Sequence, residues 1–376
     1  GHKTSNGLVT HCAMSKAAWT CIVIALLGSS TAGCAKLGYY AQALNGQLQI
    51  LSKRQPIDTL LGDPSTDPKL RVQLTNVLDM RTFASEALAL PDNKSYRTYV
   101  DLERRYAVWN VFAAPELSLE PEVWCYPFLG CVSYRGYFSE QRAQKFADTL
   151  AQKNYDVYVA GIAAYSTLGW FHDPVLSTFL RRPEADVAGL IFHELAHQRV
   201  YLKGDTTFNE SFAVALEREG VRRWLTRNGA APMQFERYLA RKKQREQYIE
   251  LVLQYRERLQ RLYASKKSDE KKRTAKARIF EGLKEAYRAL KRSWGGYSGY
   301  DRWFARNLNN AHLVPIGLYH QYVPAFQALL AEHNGDFKEF YGAVETLVQL
   351  PEAERIARLE SLQASRPRAT SPPRGQ

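Results

Sequence analysis

Two histidines and a glutamate within five residues form the most chemically informative group of the sequence. Residues 192–197 read FHELAH, so His193 and His197 are four positions apart with Glu194 between them. On an α-helix, side chains at positions i and i+4 lie on the same face, and both imidazoles could therefore bind one metal ion. A hydrolytic zinc site needs three protein ligands and an open position for water. We expect Glu194 to accept the proton of that water and pass it to the departing amine.

The third ligand must come from outside this HExxH motif. The metzincin pattern, HExxHxxGxxH, is excluded because Val200 and Lys203 stand where glycine and histidine are required. In the gluzincin class the ligand is a glutamate of the following helix, and Glu210 occurs in such a setting, in FNESFA, 13 residues after the second histidine. A purely structural alternative remains, since Thr207 and Glu210 have the spacing of a helix capping box. Asp205 is the reserve ligand.

Four further residues are candidates for supporting roles. Glu217 lies seven residues after Glu210, on the same helical face, where it could orient a histidine or instead pair with Arg222. The oxyanion of a tetrahedral intermediate needs a hydrogen-bond donor. Three residues of the C-terminal block have suitable side chains that spacing cannot separate, and each also has an ordinary structural interpretation: Tyr300, His312 and Tyr319.

Local signals delimit the helices that would carry these side chains. Pro183 suits the first turn of a helix, and Glu184 follows where the positive end of the helix dipole favours acids. Gly204 is a helix stop signal. The sequence therefore predicts one helix over residues 183–203 and a second that starts near Phe208.

Elsewhere the patterns predict more helix than strand. Apolar residues recur at steps of three and four over residues 69–90 and again over residues 99–113, which predicts two helices. Residues 115–137 are rich in proline, glycine and aromatic residues, which is typical of a loop with short strands. From Tyr155 to Val159 the residues alternate as in a strand.

The formal net charge of +13 is concentrated in one segment. Residues 241–292 hold 18 Lys and Arg against 7 Asp and Glu, a net charge of +11, and their apolar residues have helical spacing. We interpret residues 231–295 as a helical hairpin with a solvated basic face. The alternative is contact with an anionic surface of the cell envelope. Nucleic acid is not expected as a partner, because the chain has the features of an exported protein.

The N-terminus has the features of an export signal. After Met14 come a basic residue, a short apolar run and small residues that end at Cys34. The run is too short to span a bilayer comfortably, and TAGC resembles a lipobox in which Thr31 replaces the usual leucine. We interpret residues 1–33 as a signal peptide, with residues 1–13 as an upstream extension, and predict lipidation of Cys34. A cleaved signal peptide, or an uncleaved anchor with an incidental cysteine, is the alternative.

Two cysteines remain beyond the signal and its predicted lipid site. Cys125 and Cys131 enclose a proline and a glycine in CYPFLGC, and such a pair can close a tight disulfide loop in an oxidising compartment. Two buried thiols are the alternative. A cysteine-type metal site is less favoured, because no other cysteine is left to complete it.

Several long segments resemble the bacterial predicted-aminopeptidase lipoproteins of the zincin class. The resemblance covers most of the chain from Cys34 onward. It implies a gluzincin-like core, with zinc bound by His193, His197 and Glu210, and with Glu194 as the general base. The segments are CYPFLGCVSYRGYF, AYSTLGWFHDPVLST, FHELAHQRVYLKGDTTFNESFAVALEREGVRRWL and LNNAHLVPIGLYHQYVPAF.

Together these observations predict a predominantly helical α+β protein. It has a zincin-like core with a small β-sheet, an active-site helix that carries HExxH, and a long basic helical hairpin. After the signal peptide, the expected organisation is N-terminal helices, sheet and core (34–230), the hairpin (231–295), C-terminal helices that complete the catalytic domain (296–364) and a disordered tail (365–376).

The expected function is that of a zinc-dependent peptidase of the bacterial cell envelope, specifically an aminopeptidase. It would be exported to the periplasm, anchored to the membrane by a lipid on Cys34, and act on peptides. The alternative is a catalytically silent envelope lipoprotein whose zinc site is structural or vestigial and which acts as a binding module. Glu194 argues against that alternative, because a structural zinc site has no use for a base.

Overall fold

A computed structural model describes residues 39, 42–126, 130–164, 172–227, 229, 232–316 and 321–364. The chain forms two compact units, residues 1–49 and residues 50–376. In the first unit, residues 42–49 are helical. The predicted signal peptide, Cys34 and the C-terminal tail lie outside the described residues, so these interpretations stay predictions.

The second unit is predominantly helical with small sheets, as predicted for an α+β protein. Its strands are β1 (Gln55–Pro56), β2 (Thr98–Val100), β3 (Val108–Pro115), β4 (Trp124–Tyr126), β5 (Gly130–Val132), β6 (Arg135–Tyr137), β7 (Tyr155–Ile162) and β8 (Val175–Leu176). Its helices are α1 (Ile57–Gly62), α2 (Pro68–Glu86), α3 (Glu140–Ala151), α4 (Ser177–Leu180), α5 (Glu184–Arg199), α6 (Thr206–Arg227), α7 (Pro232–Ala264), α8 (Asp269–Ser293), α9 (Asp301–Phe304), a 3₁₀ turn (Asn310–Leu313), α10 (Val323–Glu332), α11 (Phe337–Gln349) and α12 (Glu352–Ala364).

Within the described residues the strands form two three-stranded sheets, β1-β2-β8 and β6-β3-β7, and a pair, β4-β5. The strand predicted to start at Tyr155 is confirmed, since β7 runs antiparallel to β3 until Ile162 lies opposite Val108. In the β4-β5 pair, Cys125 lies opposite Cys131 and a disulfide joins them.

The prediction of a helix over residues 99–113 is wrong, because this segment contains part of β2 and most of β3. β3 is the central strand of its sheet, and residues 108–114 are all buried or half-buried. A strand that is covered on both faces has a nearly continuous apolar run, which also satisfies helical spacing. Periodicity therefore could not separate the two structures.

Helices α5 and α6 pack against each other in the main core. α5 follows Pro183 as predicted but ends four residues before the predicted position, because Val200 already has an extended backbone. Gly220 of α6 permits close packing, since a Cβ atom there would lie 2.9 Å from the ring of Phe192. The two helices that carry the candidate ligands are thus held at short range.

Helices α7 and α8 form a hairpin with its own buried cluster. Tyr248, Val252 and Leu259 of α7 pack there with Leu283 of α8, all at positions with helical spacing. Most of the Lys and Arg residues of the hairpin are exposed. The described helices include none that is long and apolar enough to cross a membrane.

Candidate metal centre and its cleft

The turn between α5 and α6 fixes the position of the candidate third ligand. The amide of Asn209 donates a hydrogen bond to the carbonyl of Leu202 (2.7 Å) and accepts one from its N–H (2.8 Å). Asp205, the reserve ligand, accepts a hydrogen bond from the N–H of Phe208 and also pairs with Arg355. Asp205 thus lies at the start of α6, and Glu210 follows five residues later in the same helix.

The three candidate ligands lie together. The Nε2 atoms of His193 and His197 are 3.2 Å apart. The carboxylate of Glu210 places Oε2 3.3 Å from the first of these atoms and Oε1 3.4 Å from the second. One ligand atom from each residue can be chosen so that all lie within 4.8 Å of one another, and the group could hold a metal ion.

These distances fit a tetrahedral zinc site. Zinc binds imidazole nitrogen and carboxylate oxygen at about 2.0 to 2.1 Å, which separates neighbouring ligand atoms by about 3.3 Å in a tetrahedron. The 3.2 Å between the two Nε2 atoms agrees with that geometry, and the carboxylate of Glu210 presents one oxygen to each nitrogen, at 3.3 and 3.4 Å. Within the described residues, the buried Nδ1 of His197 has no hydrogen-bond partner. The polar contacts of the His197 ring are therefore made by Nε2, the atom that faces the other two candidate ligands.

Glu217 contacts the ring nitrogen of His193 that does not face Glu210. Its Oε2 lies 3.2 Å from Nδ1 of His193. Its Oε1 accepts hydrogen bonds from the hydroxyl of Tyr238 (2.8 Å) and from the ammonium of Lys242. A Cβ atom on Gly189 would lie 3.0 Å from Oε1, so the glycine leaves room for this carboxylate. Glu217 therefore lies in contact with His193, and a role in orienting that ring stays a prediction.

The alternative partner considered for Glu217 is engaged elsewhere. Arg222 donates hydrogen bonds to the carboxylate of Glu219 at 2.8 and 2.7 Å. Glu219 and Arg222 lie two and five residues after Glu217 on α6. Glu217 itself is buried and contacts His193 instead.

The electrostatics of the centre favour a cation. Burial lowers the pKa of His193, but hydrogen bonds with Glu210 and Glu217 outweigh it and raise the pKa to about 10. Burial raises the pKa of Glu217, but Lys242 and His193 outweigh it and hold that pKa well below its ordinary value. The two histidines lower the pKa of Glu210 against burial in the same way. Since the metal-free centre binds a proton strongly, protons and metal ions compete for it.

Glu194 is half-buried and lines the cleft beside the centre. The pKa of Tyr96 is raised well above its ordinary value. Burial is the largest cause, and the charges of Glu194 and then Asp173 add to it. Tyr96 has a left-handed backbone, with φ of 62°, and is buried. This phenol remains protonated next to the carboxylate proposed as the base.

A cleft of about 380 Å³ opens at the centre. One wall is formed by α5 and α6, and the other by α7 with two tyrosines that follow α8. The lining residues carry five cationic and five acidic side chains: Arg182, Arg218, Arg241, Lys242 and Arg245, and Asp186, Glu194, Glu210, Glu217 and Glu246.

The three oxyanion candidates have different surroundings. Tyr300 lines the cleft and stacks on Tyr248, with ring centroids 4.2 Å apart. His312 is 4% exposed, stacks on Tyr158 of β7, and is not among the residues that line the cleft. Tyr319 lies outside the described residues.

Sequence reasoning missed the contribution of α7. Tyr238, Lys242 and Arg245 follow at steps of four and three, so they share one helical face. That spacing was readable, but nothing local indicated that this face lies against Glu217. Tyr96 was missed for the same reason, because its neighbour Glu194 is far away in the sequence.

Comparison with known proteins adds one finding. The sequence model of the family described as "Putative aminopeptidase" matches residues 38–359. No curated protein and no solved structure matches the chain. The match covers most of the chain and all the residues of the centre described above. The chain therefore belongs to this aminopeptidase family.

Proposed function

We propose that the protein is a zinc-dependent aminopeptidase of the bacterial cell envelope. The observation that carries the proposal is the convergence of His193, His197 and Glu210, whose ligand atoms lie within 4.8 Å of one another and could hold one metal ion. Glu194 lies in the same turn of α5 and faces the cleft. Family membership supports peptide hydrolysis. In this proposal the α5–α6 pair is the zincin-type core.

Each residue has a separate task in the reaction. When bound, zinc lowers the pKa of a water molecule and polarises the peptide carbonyl. Glu194 accepts a proton from the attacking water and transfers it to the leaving amine. Glu217 accepts a hydrogen bond from Nδ1 of His193, which leaves the lone pair on Nε2 for the ion. Tyr300 donates a hydrogen bond to the developing oxyanion, and burial, which raises its pKa to about 12, keeps the phenol protonated.

We also propose that the protein is exported to the periplasm and anchored through a lipid on Cys34. The disulfide between Cys125 and Cys131 supports an oxidising compartment. The exposed basic residues of α7 and α8 would then contact an anionic surface of the envelope.

The decisive test compares zinc content and peptide hydrolysis in the wild type and in Glu194→Gln. We expect the variant to retain zinc and to lose roughly 10²- to 10⁴-fold in kcat, because the proton acceptor is removed while the ligands stay. Glu219→Gln, a change on α6 outside the cleft, is the matched control.

Two results would count against the proposal. Hydrolysis that survives Glu194→Gln at the wild-type rate would remove the mechanism. If the wild type binds zinc but hydrolyses no peptide of a diverse library, the result would favour the catalytically silent binding module.

A further inference from the structure

Five cationic side chains line the cleft, and three of them have an acidic partner within the protein. Lys242 pairs with Glu217, and Arg218 pairs with Glu246. Arg241 places Nη2 2.8 Å from Oδ2 of Asp186. These three cations are neutralised within the protein and connect α7 to α5 and α6.

Arg182 and Arg245 differ from these three. Both line the cleft and both are exposed to solvent. Across the described ranges, neither guanidinium makes a hydrogen bond or an ion pair. The charge of Arg245 acts on Arg182. Desolvation by the surrounding protein lowers the pKa of Arg182 most, the charge of Asp186 raises it, and the charge of Arg245 lowers it by a smaller amount. Two neighbouring like charges are stabilised by an anion that binds both.

The two arginines share a cleft with the centre. Arg182 and Arg245 line the same cleft as the candidate ligands His193 and Glu210. Arg182 lies two residues before α5, the helix that carries His193, and Arg245 lies on α7, three residues after Lys242. A peptide that occupies this cleft therefore lies between walls that contain both the centre and the arginines.

The two arginines differ from the other cations of the cleft in the groups available to them. Arg218, Arg241 and Lys242 each pair with an acidic side chain of the protein. Arg182 and Arg245 have no such ion pair among the described residues, so their guanidinium groups are available to a carboxylate of a bound peptide. The planar fork of arginine matches a carboxylate with two parallel hydrogen bonds.

We infer that Arg182 and Arg245 form a carboxylate-binding subsite of the cleft that selects peptides with an anionic group. This inference rests on the proposed function for its link to catalysis. The carboxylate comes either from an acidic side chain of the peptide or from its free C-terminus. Both sources present the same chemistry to the two guanidinium groups.

Three five-residue peptides of otherwise identical sequence separate the sources. The first has neutral side chains and an amidated C-terminus, the second has a free C-terminus, and the third is amidated with one aspartate in its C-terminal half. We expect the wild type to cleave the second, the third or both with a kcat/KM roughly 10- to 100-fold above the first, as for a hydrogen-bonded charge. In the double variant Arg182→Ala/Arg245→Ala this ratio falls towards one.

The matched control is Arg261→Ala, an exposed arginine of α7 that does not line the cleft. It should keep the wild-type ratio. A wild type that cleaves all three peptides equally well would overturn the subsite, and so would a double variant that keeps the preference.

Binding distinguishes failure of the subsite from failure of the proposed function. Calorimetry with Glu194→Gln measures the affinity for the same three peptides without turnover. Tighter binding of a carboxylate peptide, lost on addition of Arg182→Ala and Arg245→Ala, supports the subsite even if the wild type hydrolyses nothing. Equal binding of all three peptides would exclude it, whatever the hydrolytic activity.

Discussion

The metal centre on α5 and α6 and the 3₁₀ turn against β7 each contain a largely buried histidine, and the two histidines have opposite charge preferences. His193 contacts two carboxylates, and its pKa is raised to about 10 although burial opposes this. His312 stacks on Tyr158, 4.2 Å between ring centroids, and burial with the charge of Arg306 lowers its pKa to about 3.

The difference shows that burial alone does not decide the protonation of a histidine in this molecule. Both rings are desolvated, and desolvation favours the neutral form of each. Only His193 has anionic partners, which come from two positions on α6. The centre is thus organised to hold a cation, while the turn near the sheet is organised to exclude one.

The largest expected effect follows from removal of a ligand. His197→Ala should lower zinc affinity by more than roughly 100-fold, because loss of a ligand costs more than loss of a hydrogen bond to a ligand. It should also abolish peptide hydrolysis. Zinc content after dialysis and hydrolysis rates measure both. His172→Ala, at an exposed histidine, is the control and should keep both properties. Normal zinc content in His197→Ala would show that the ion is bound elsewhere.

The second prediction concerns pH and His312. Its folded pKa of about 3 lies below the ordinary 6.5, so the unfolded chain takes up the proton first as the pH falls. Stability is therefore lost as the pH decreases from 6.5 towards 3, by roughly 3 kcal/mol between pH 6.5 and 4.

The variant His312→Phe keeps a flat ring on Tyr158 and removes this titration. Its free energy of unfolding, measured by denaturant titration from pH 4 to pH 7, should have a shallower dependence on pH than that of the wild type. His172→Gln should keep the wild-type slope. Identical slopes for the wild type and His312→Phe would contradict the assignment.

The third prediction tests the support behind the centre. Glu217→Gln removes the charge that holds Nδ1 of His193 and leaves Lys242 without its ion-pair partner. Zinc affinity should fall by roughly 10- to 100-fold, as for other outer partners of metal-binding histidines. Competition with a chelator measures the change, and Glu219→Gln is the control on the same helix. An unchanged affinity would reduce Glu217 to a packing role.

The smallest expected effect comes from Gly189→Ala. The added methyl group would lie 3.0 Å from Oε1 of Glu217, which Tyr238 and Lys242 hold in place. We expect a several-fold loss of zinc affinity, smaller than for Glu217→Gln because the carboxylate shifts but remains.

Gly342→Ala provides a reference for Gly189→Ala. Gly342 lies in α11 with open space around its Cβ position, and alanine there should stabilise the protein by about 0.5 to 1 kcal/mol through helix propensity. Thermal unfolding measures this change. Gly189→Ala should show less stabilisation than Gly342→Ala, and an equal gain would mean that Glu217 moves without cost.

The extent to which the sequence predicted the structure differs between regions. Pro183 and Gly204 predicted the approximate ends of α5, because helix start and stop signals act over a few residues. The alternation of residues predicted the strand β7. The segment that forms β3 was misread as a helix, because a strand buried on both faces has no distinctive period. The local signals were sufficient only where the structure itself is local.

The sequence by itself determined the pair of histidines on one face of α5, the base between them and the glutamate that follows the turn, because helical spacing and a short connection leave few alternatives. Tertiary structure alone decided that α7 supplies Tyr238 and Lys242 to Glu217, and that Arg182 and Arg245 line one cleft. The physical reason is that packing between helices depends on the buried surfaces of the whole core. No periodicity within a single segment specifies which faces will meet.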